Sequence, residues 1–220
     1  MLLPALSLMC GLKFAPMLIN PDGTEKHFGR IYIRAFKMES EMEVWASLGE
    51  SIKYQRVAVF PIAAWSGHLG PKRLEGDKQV PEGMYKVEKY NPNSEFHLSM
   101  GIDYPNQSDK VRSDPVKPGS AIFIHGNAVS AGCLAMTDPV IDVLYKLCHD
   151  CDHPDEVKVH IFPFRMTRYK TKELMMQARP PELMLWKELQ PAYLSFEKNR
   201  RMPIVNVTPD GAYKVTMQDW

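Results

Sequence analysis

The sequence predicts a mainly β domain with flanking helices. Three observations predict it. Short runs alternate apolar and polar residues or concentrate β-branched and aromatic ones, the pattern of half-buried strands. Eighteen prolines and thirteen glycines supply the many turns that short strands need. After residue 137 the apolar spacing changes to a helical period. A chain of 220 residues can bury a proper core as one domain or one and a half.

The elements follow in order. Residues 30–36 (RIYIRAF) and 42–46 (MEVWA) read as strands, with a turn at 37–41. Residues 53–60 (KYQRVAVF) continue the pattern, and Pro61 ends it. A glycine- and proline-rich loop covers 66–83. Residues 84–90 (MYKVEKY) alternate like a strand, 96–104 (FHLSMGIDY) form another, and 105–120 read as a polar loop. Residues 121–124 (AIFI) are a short β-prone run ending at His125.

Thr137-Asp138-Pro139 is a helix start, with a capping side chain and proline in the first turn. Val140, Ile141, Val143, Leu144, Leu147 and Cys148 then follow helical spacing. Residues 157–162 (VKVHIF) are a late strand. Residues 173–177 and 182–199 are expected to be helical, broken at Pro180-Pro181 and again near Pro191. Met184, Leu185, Trp186, Leu189, Tyr193, Leu194 and Phe196 read as packing residues. Residues 204–207 and 213–217 flank Pro209-Asp210-Gly211, a hairpin signal.

The formal net charge is +1, so no basic stripe points to a nucleic-acid partner. Residues 1–20 form an apolar N-terminal segment that resembles a secretory signal without its basic start; packing on the domain is an equal alternative. Cys10 follows Leu6-Ser7-Leu8-Met9, a poor lipoprotein box. No stretch is long enough for a stable membrane span.

Four cysteines are too few for a disulfide-built scaffold. Cys148-His149-Asp150-Cys151-Asp152-His153 holds one C-x-x-C. A zinc site usually has a second ligand pair farther along, so a disulfide or two plain thiols is the better expectation. No metal or cofactor is expected.

The most informative stretch is Ile124 to Cys133. His125 and Cys133 stand eight residues apart, with Gly126 and Gly132 between them. A thiol is a good nucleophile only as a thiolate, and a nearby imidazole can take its proton. Glycine lets the backbone approach a substrate and offer N–H groups. A buried apolar cysteine and a structural histidine are the plain alternative. The strand before His125 and the loop after it favour a site, because reactive groups are commonly held on loops anchored by a scaffold.

The run HGNAVSAGCLAMTD, residues 125–138, resembles the YkuD-type L,D-transpeptidase signature, and more closely its YafK-like branch. SGHLGPKRLEGDKQVPEGMY (66–85), IDYPN (102–106) and IFPFRMT (161–167) resemble further segments of that branch. The resemblance implies a β-sandwich or barrel-like sheet with a helix after the cysteine. It implies a catalytic domain over 28–167, followed at 168–220 by a helical extension with a terminal hairpin. It also implies a secreted, periplasmic or cell-envelope enzyme that works on peptidoglycan stem peptides.

Carried onto this chain, the resemblance makes Cys133 the nucleophile and His125 the proton acceptor and donor. Gly132, with Cys133, would give backbone donors to the oxyanion, and Ser130 would order the loop or touch the imidazole. Lys72 and Arg73, with Lys78, could hold substrate carboxylates by charge-assisted bonds. Lys110 and Arg112 are weaker candidates of the same kind. Gly126 and Asn127 are candidate substrate contacts, and His68 and His97 candidate supports.

The chain departs from many members at Ala131, where they carry histidine, and at Ala135, where arginine is common soon after the cysteine. The expected reaction is acyl transfer through a Cys133 thioester. Three alternatives stand beside it: a hydrolytic amidase releasing a wall-linked lipoprotein, a non-catalytic wall-binding module, and a zinc or redox protein built on Cys148 and Cys151.

Overall fold

The computed structural model describes Thr24 and residues 27–216, without the side chains at 168–170. The apolar segment 1–20, with Cys10, lies outside the described residues, as does Met217. Eight strands form one sheet: β1 (Phe28–Phe36), β2 (Glu41–Leu48), β3 (Gln55–Pro61), β4 (Gly83–Ser94), β5 (His97–Ile102), β6 (Phe123–His125), β7 (Leu134–Ala135) and β8 (Lys158–Phe162). Their order is β3-β2-β1-β8-β4-β5-β6-β7. The β1/β8 and β6/β7 pairs are parallel and the others antiparallel.

The sheet curls until its edges meet. Just beyond β3, Ala63 N–H donates to the carbonyl of Ala135 at 2.8 Å, and Ala135 N–H donates to that of Ala64 at 3.0 Å. Ala135 belongs to β7 at the opposite edge, so the expected barrel-like sheet is present as a curled half-barrel.

Strand β1 is buried on both faces, which its period explains. Ile31, Ile33 and Ala35 point into the main core with Val44, Phe60, Met100 and Ile161. That core also receives Val140, Ile141 and Leu144 from helix α2 (Asp138–His149). Tyr32, Arg34 and Phe36 point the other way, toward helix α4 (Pro180–Asn199), where Phe196 and Tyr193 meet them edge-on. Arg34 is buried there and pairs with Glu43 at 2.5 Å and Glu197 at 2.7 Å. Burial alone would raise the Glu43 carboxyl; Arg34, with bonds from Arg165 and Trp45, brings it down to about 2.

Several expectations need correction. The segment 105–120 holds helix α1 (Gln107–Arg112), closed by a reciprocal capping box between Asn106 and Asp109. Pro191 does not break the tail helix, which runs through it. The burial of Leu185, Trp186 and Leu189 before it and Ala192, Tyr193 and Phe196 after it outweighs the roughly 3 kcal/mol that an internal proline costs. Pro180 and Pro181 begin that helix, after α3 (Arg168–Gln177). Met184 and Leu194 are exposed rather than packed. Thr137 does not cap α2 with its side chain. The terminal hairpin forms as β9 (Ile204–Val207) and β10 (Tyr213–Thr216).

Candidate active site

Register brings the two reactive residues together. Strands β6 and β7 run parallel, with Ile124 opposite Leu134 and His125 opposite Ala135. The loop 126–132 therefore returns Cys133 to the level of Phe123. Side chains two apart on a strand share a face, so Phe123 and His125 point the same way as Cys133. Phe123 N–H donates to Cys133 Sγ at 3.4 Å. Cys133 and the buried His125 both line one open cavity of about 220 Å³.

The far wall of that cavity is the tip of the β4–β5 hairpin, with Asn91, Ser94, Glu95 and Phe96. The Phe96 ring lies 4.7 Å from the imidazole at 38°. His125 Nδ1 is 2.6 Å from the Gly126 carbonyl. A carbonyl can only accept, so Nδ1 carries the hydrogen, and Nε2 of the neutral ring is left with a lone pair. Burial lowers the His125 pKa against the opposing pull of that carbonyl. Burial raises the Cys133 pKa, partly offset by the Phe123 N–H and the charge of Lys72. Both shifts favour the uncharged pair, thiol and imidazole, at rest.

The loop between them is fixed by hydroxyls. Ser130 Oγ donates to the Cys133 carbonyl at 2.7 Å, so this residue orders the loop rather than touching the imidazole. Gly132, at φ +110°, gives its N–H to Ser66 Oγ at 2.7 Å. Here that hydrogen is held by Ser66 rather than open to the cavity, where the oxyanion role was expected of it. The Cys133 N–H makes no hydrogen bond among the described residues.

Other expected contacts lie elsewhere. A Cβ on Gly126 would come within 2.6 Å of the Phe96 carbonyl oxygen, so this glycine answers to packing. Asn127 sits at φ +62° on the exposed loop, its N–H donating to Asp138 Oδ1 at 2.7 Å. Neither lines the cavity.

Lys72 is not a free loop charge. It is buried, with Nζ 2.5 Å from Asp77 and donating to the Leu74 carbonyl at 2.8 Å. Arg73 pairs with Asp109 at 3.4 Å, behind the Tyr85 hydroxyl that donates to the same carboxylate. Arg112 makes a two-pronged pair with Glu188 on α4. Lys78 and Lys110 are exposed and off the cavity. His97 pairs with Asp142 and His68 contacts Arg179, and neither lines the cavity.

Cys148 and Cys151 are two buried free thiols, Cys151 Sγ lying 3.2 Å from the Cys148 carbonyl. Among the described residues, no group of three His, Cys, Asp or Glu side chains could hold a metal ion. No helix there is long and apolar enough to cross a membrane. Ser66, Glu95 and Phe96 were missed from sequence. They reach the site only through tertiary pairing, though Ser66 opens a segment already singled out.

A sequence model of the L,D-transpeptidase catalytic domain, YkuD, matches residues 33–161, which spans every residue of this cavity. The chain belongs to the L,D-transpeptidase family. Over 191 residues this L,D-transpeptidase-family chain is 34% identical to YafK of Escherichia coli (strain K12), provisionally named an L,D-transpeptidase; the match covers 84% of this chain and 74% of that one. Among solved structures it is similar to the helical cell shape determining protein Pgp2 of Campylobacter jejuni, with a TM-score of 0.51, 16% identity, and 83% and 75% of the two chains covered. A K307A mutant of Pgp2 gives a TM-score of 0.52 at 20% identity, covering 78% of this chain but only 57% of that one. These likenesses establish the shared fold.

Proposed function

We propose that this L,D-transpeptidase-family chain is a cysteine-dependent acyl transferase acting on peptidoglycan stem peptides in the cell envelope. The observation that carries the reading is the shared cavity: the Cys133 thiol and the His125 imidazole open onto one space, with the imidazole's Nε2 left as the base. As Sγ attacks a stem-peptide carbonyl, its proton passes to Nε2. The resulting oxyanion is met by the Cys133 N–H; one such donor is typically worth about 3–4 kcal/mol of barrier. His125 then returns the proton to the leaving amine as the C–N bond breaks, and a thioester on Cys133 remains. An incoming amine resolves it by transfer.

Water attacking the same thioester would make the protein a hydrolytic amidase, for which a wall-linked lipoprotein is the substrate to test. In this reading Ser130, Ser66 and Gly132 hold the nucleophile loop, and Lys72 and Arg73 serve the fold. Mass spectrometry of sacculi incubated with the enzyme tests the proposal. New cross-links mean transfer, freed stems or freed lipoprotein mean hydrolysis, and unchanged sacculi overturn both.

A further inference from the structure

From the strand ladder beside the imidazole we infer that Ser99 is a further catalytic residue, which accepts a hydrogen from the nitrogen or oxygen that trades a proton with His125. This rests on the acyl-transfer reading and adds a group to its proton chemistry. Ser99 stands directly opposite His125 where β5 meets β6, and directly opposite Asn91 where β5 meets β4. Directly opposed residues share a face, so Asn91, Ser99 and His125 form one row across three strands. All three line the catalytic cavity. Ladder bonds run from Gly126 N–H to the Leu98 carbonyl and from Ile102 N–H to the Ile122 carbonyl. The Ser99/His125 pair, one step in from the first of these, is therefore a non-hydrogen-bonded pair. Side chains in such pairs approach most closely, toward the short end of a Cβ separation of about 4.5–5.5 Å.

Ser99 is only 3% exposed, yet its hydroxyl forms no hydrogen bond among the described residues. The other seryl hydroxyls around the site are engaged: Ser130 with the Cys133 carbonyl, Ser66 with the Lys78 carbonyl and Ser94 with the Phe96 N–H. The reaction supplies a partner for Ser99. When the thioester is resolved, an incoming amine or water forms a new C–N or C–O bond, the C–S bond breaks, and one proton of the nucleophile passes to Nε2 and on to Sγ. Nε2 of the neutral ring has a single lone pair, so the second hydrogen of the nucleophile needs another acceptor. A hydroxyl oxygen beside the ring provides it. In the acylation step the scissile nitrogen keeps its own N–H while Nε2 protonates it, and that N–H meets the same oxygen. The ligand class of Ser99 is thus an amide N–H, a primary amine or water.

The test uses two stem peptides that differ only in the bond cleaved: an amide, or the ester that puts oxygen in place of its N–H. Single-turnover acylation of the full chain is followed by intact-protein mass spectrometry, for wild type, Ser99→Ala and Ser99→Thr. Ser99→Ala should acylate about tenfold more slowly from the amide, the scale of one hydrogen bond, and at the wild-type rate from the ester. The thioester formed from the ester should then resolve about tenfold more slowly than in wild type, in water and with glycinamide as the amine. Ser99→Thr keeps a hydroxyl and should recover most of both rates. The melting temperature of Ser99→Ala should match wild type, because the hydroxyl holds no bond among the described residues that could be lost. An equal loss on amide and ester, as a packing role would give, or no loss on either, overturns the assignment of Ser99 alone. Wild type that forms a thioester with neither peptide overturns the acyl-transfer reading and this inference with it.

Discussion

The Ser66 hydroxyl accepts the Gly132 N–H at 2.7 Å, across 66 residues of sequence. The same oxygen donates to the Lys78 carbonyl at 2.7 Å and lies 3.3 Å from Ser130 Oγ. One side chain thus ties the glycine-rich loop to the nucleophile loop. Ser66→Ala leaves a buried backbone N–H unpaired, at a cost of about 1–3 kcal/mol. Chemical denaturation should show that loss, and acylation of Cys133 should slow as its loop loosens. A variant with wild-type stability and rate would remove Ser66 from the account.

The protonation states give a pH signature. The raised Cys133 pKa means that thiolate appears only above the usual cysteine range. The lowered His125 pKa means that the imidazole stays neutral at pH 7 and charges only below the usual histidine range. Iodoacetamide labelling mapped to Cys133 should therefore rise once, in alkaline solution. A plateau of reactivity in mild acid would indicate a standing thiolate–imidazolium pair instead. Stem-peptide turnover, which needs neutral His125, should fall on its acid side only below the ordinary histidine range.

Phe96 holds the imidazole from the cavity side. A ring contact of this kind is worth about 0.5–1.5 kcal/mol. Phe96→Ala should lower kcat by about three- to tenfold and leave the melting temperature close to wild type, since Phe96 is 39% exposed. Phe96→Tyr should restore the rate. A large loss of stability with no loss of rate would make Phe96 a packing residue only.

Lys72→Met should act on stability rather than on substrate affinity. Nζ is buried against Asp77, whose side chain is 23% exposed, so the cost is discounted for solvent to about 2 kcal/mol. Denaturation and stem-peptide KM measured on the same protein separate the two roles. A selective rise in KM with unchanged stability would return Lys72 to the substrate.

Much of the fold was legible because β strands print their two faces in alternation: Ile31, Ile33 and Ala35 against Tyr32, Arg34 and Phe36. Helix α1 was hidden in a polar stretch, yet its signal was present as Asn106-x-x-Asp109, the spacing of a capping box. Pro191 misled because local propensity yields where a helix buries apolar residues on both sides of the proline. The nucleophile and base share one short segment, so they could be paired by reading along the chain. The hairpin wall with Glu95 and Phe96, and the tether from Ser66, depend on which strands neighbour β6. That adjacency is a property of the sheet order rather than of any local pattern. Lys72 and Arg73 look available to substrate carboxylates because burial and ion pairing are not visible in a loop's composition.

The most direct test is the intact mass of the protein after incubation with a stem tetrapeptide, for wild type, Cys133→Ala and His125→Ala. Wild type should gain one acyl group, mapped to Cys133 and released by a primary amine. Cys133→Ala should gain none, and His125→Ala should acylate at least about a hundredfold more slowly. An acyl group carried by Cys133→Ala, or stem-peptide turnover that persists in it, would contradict the account.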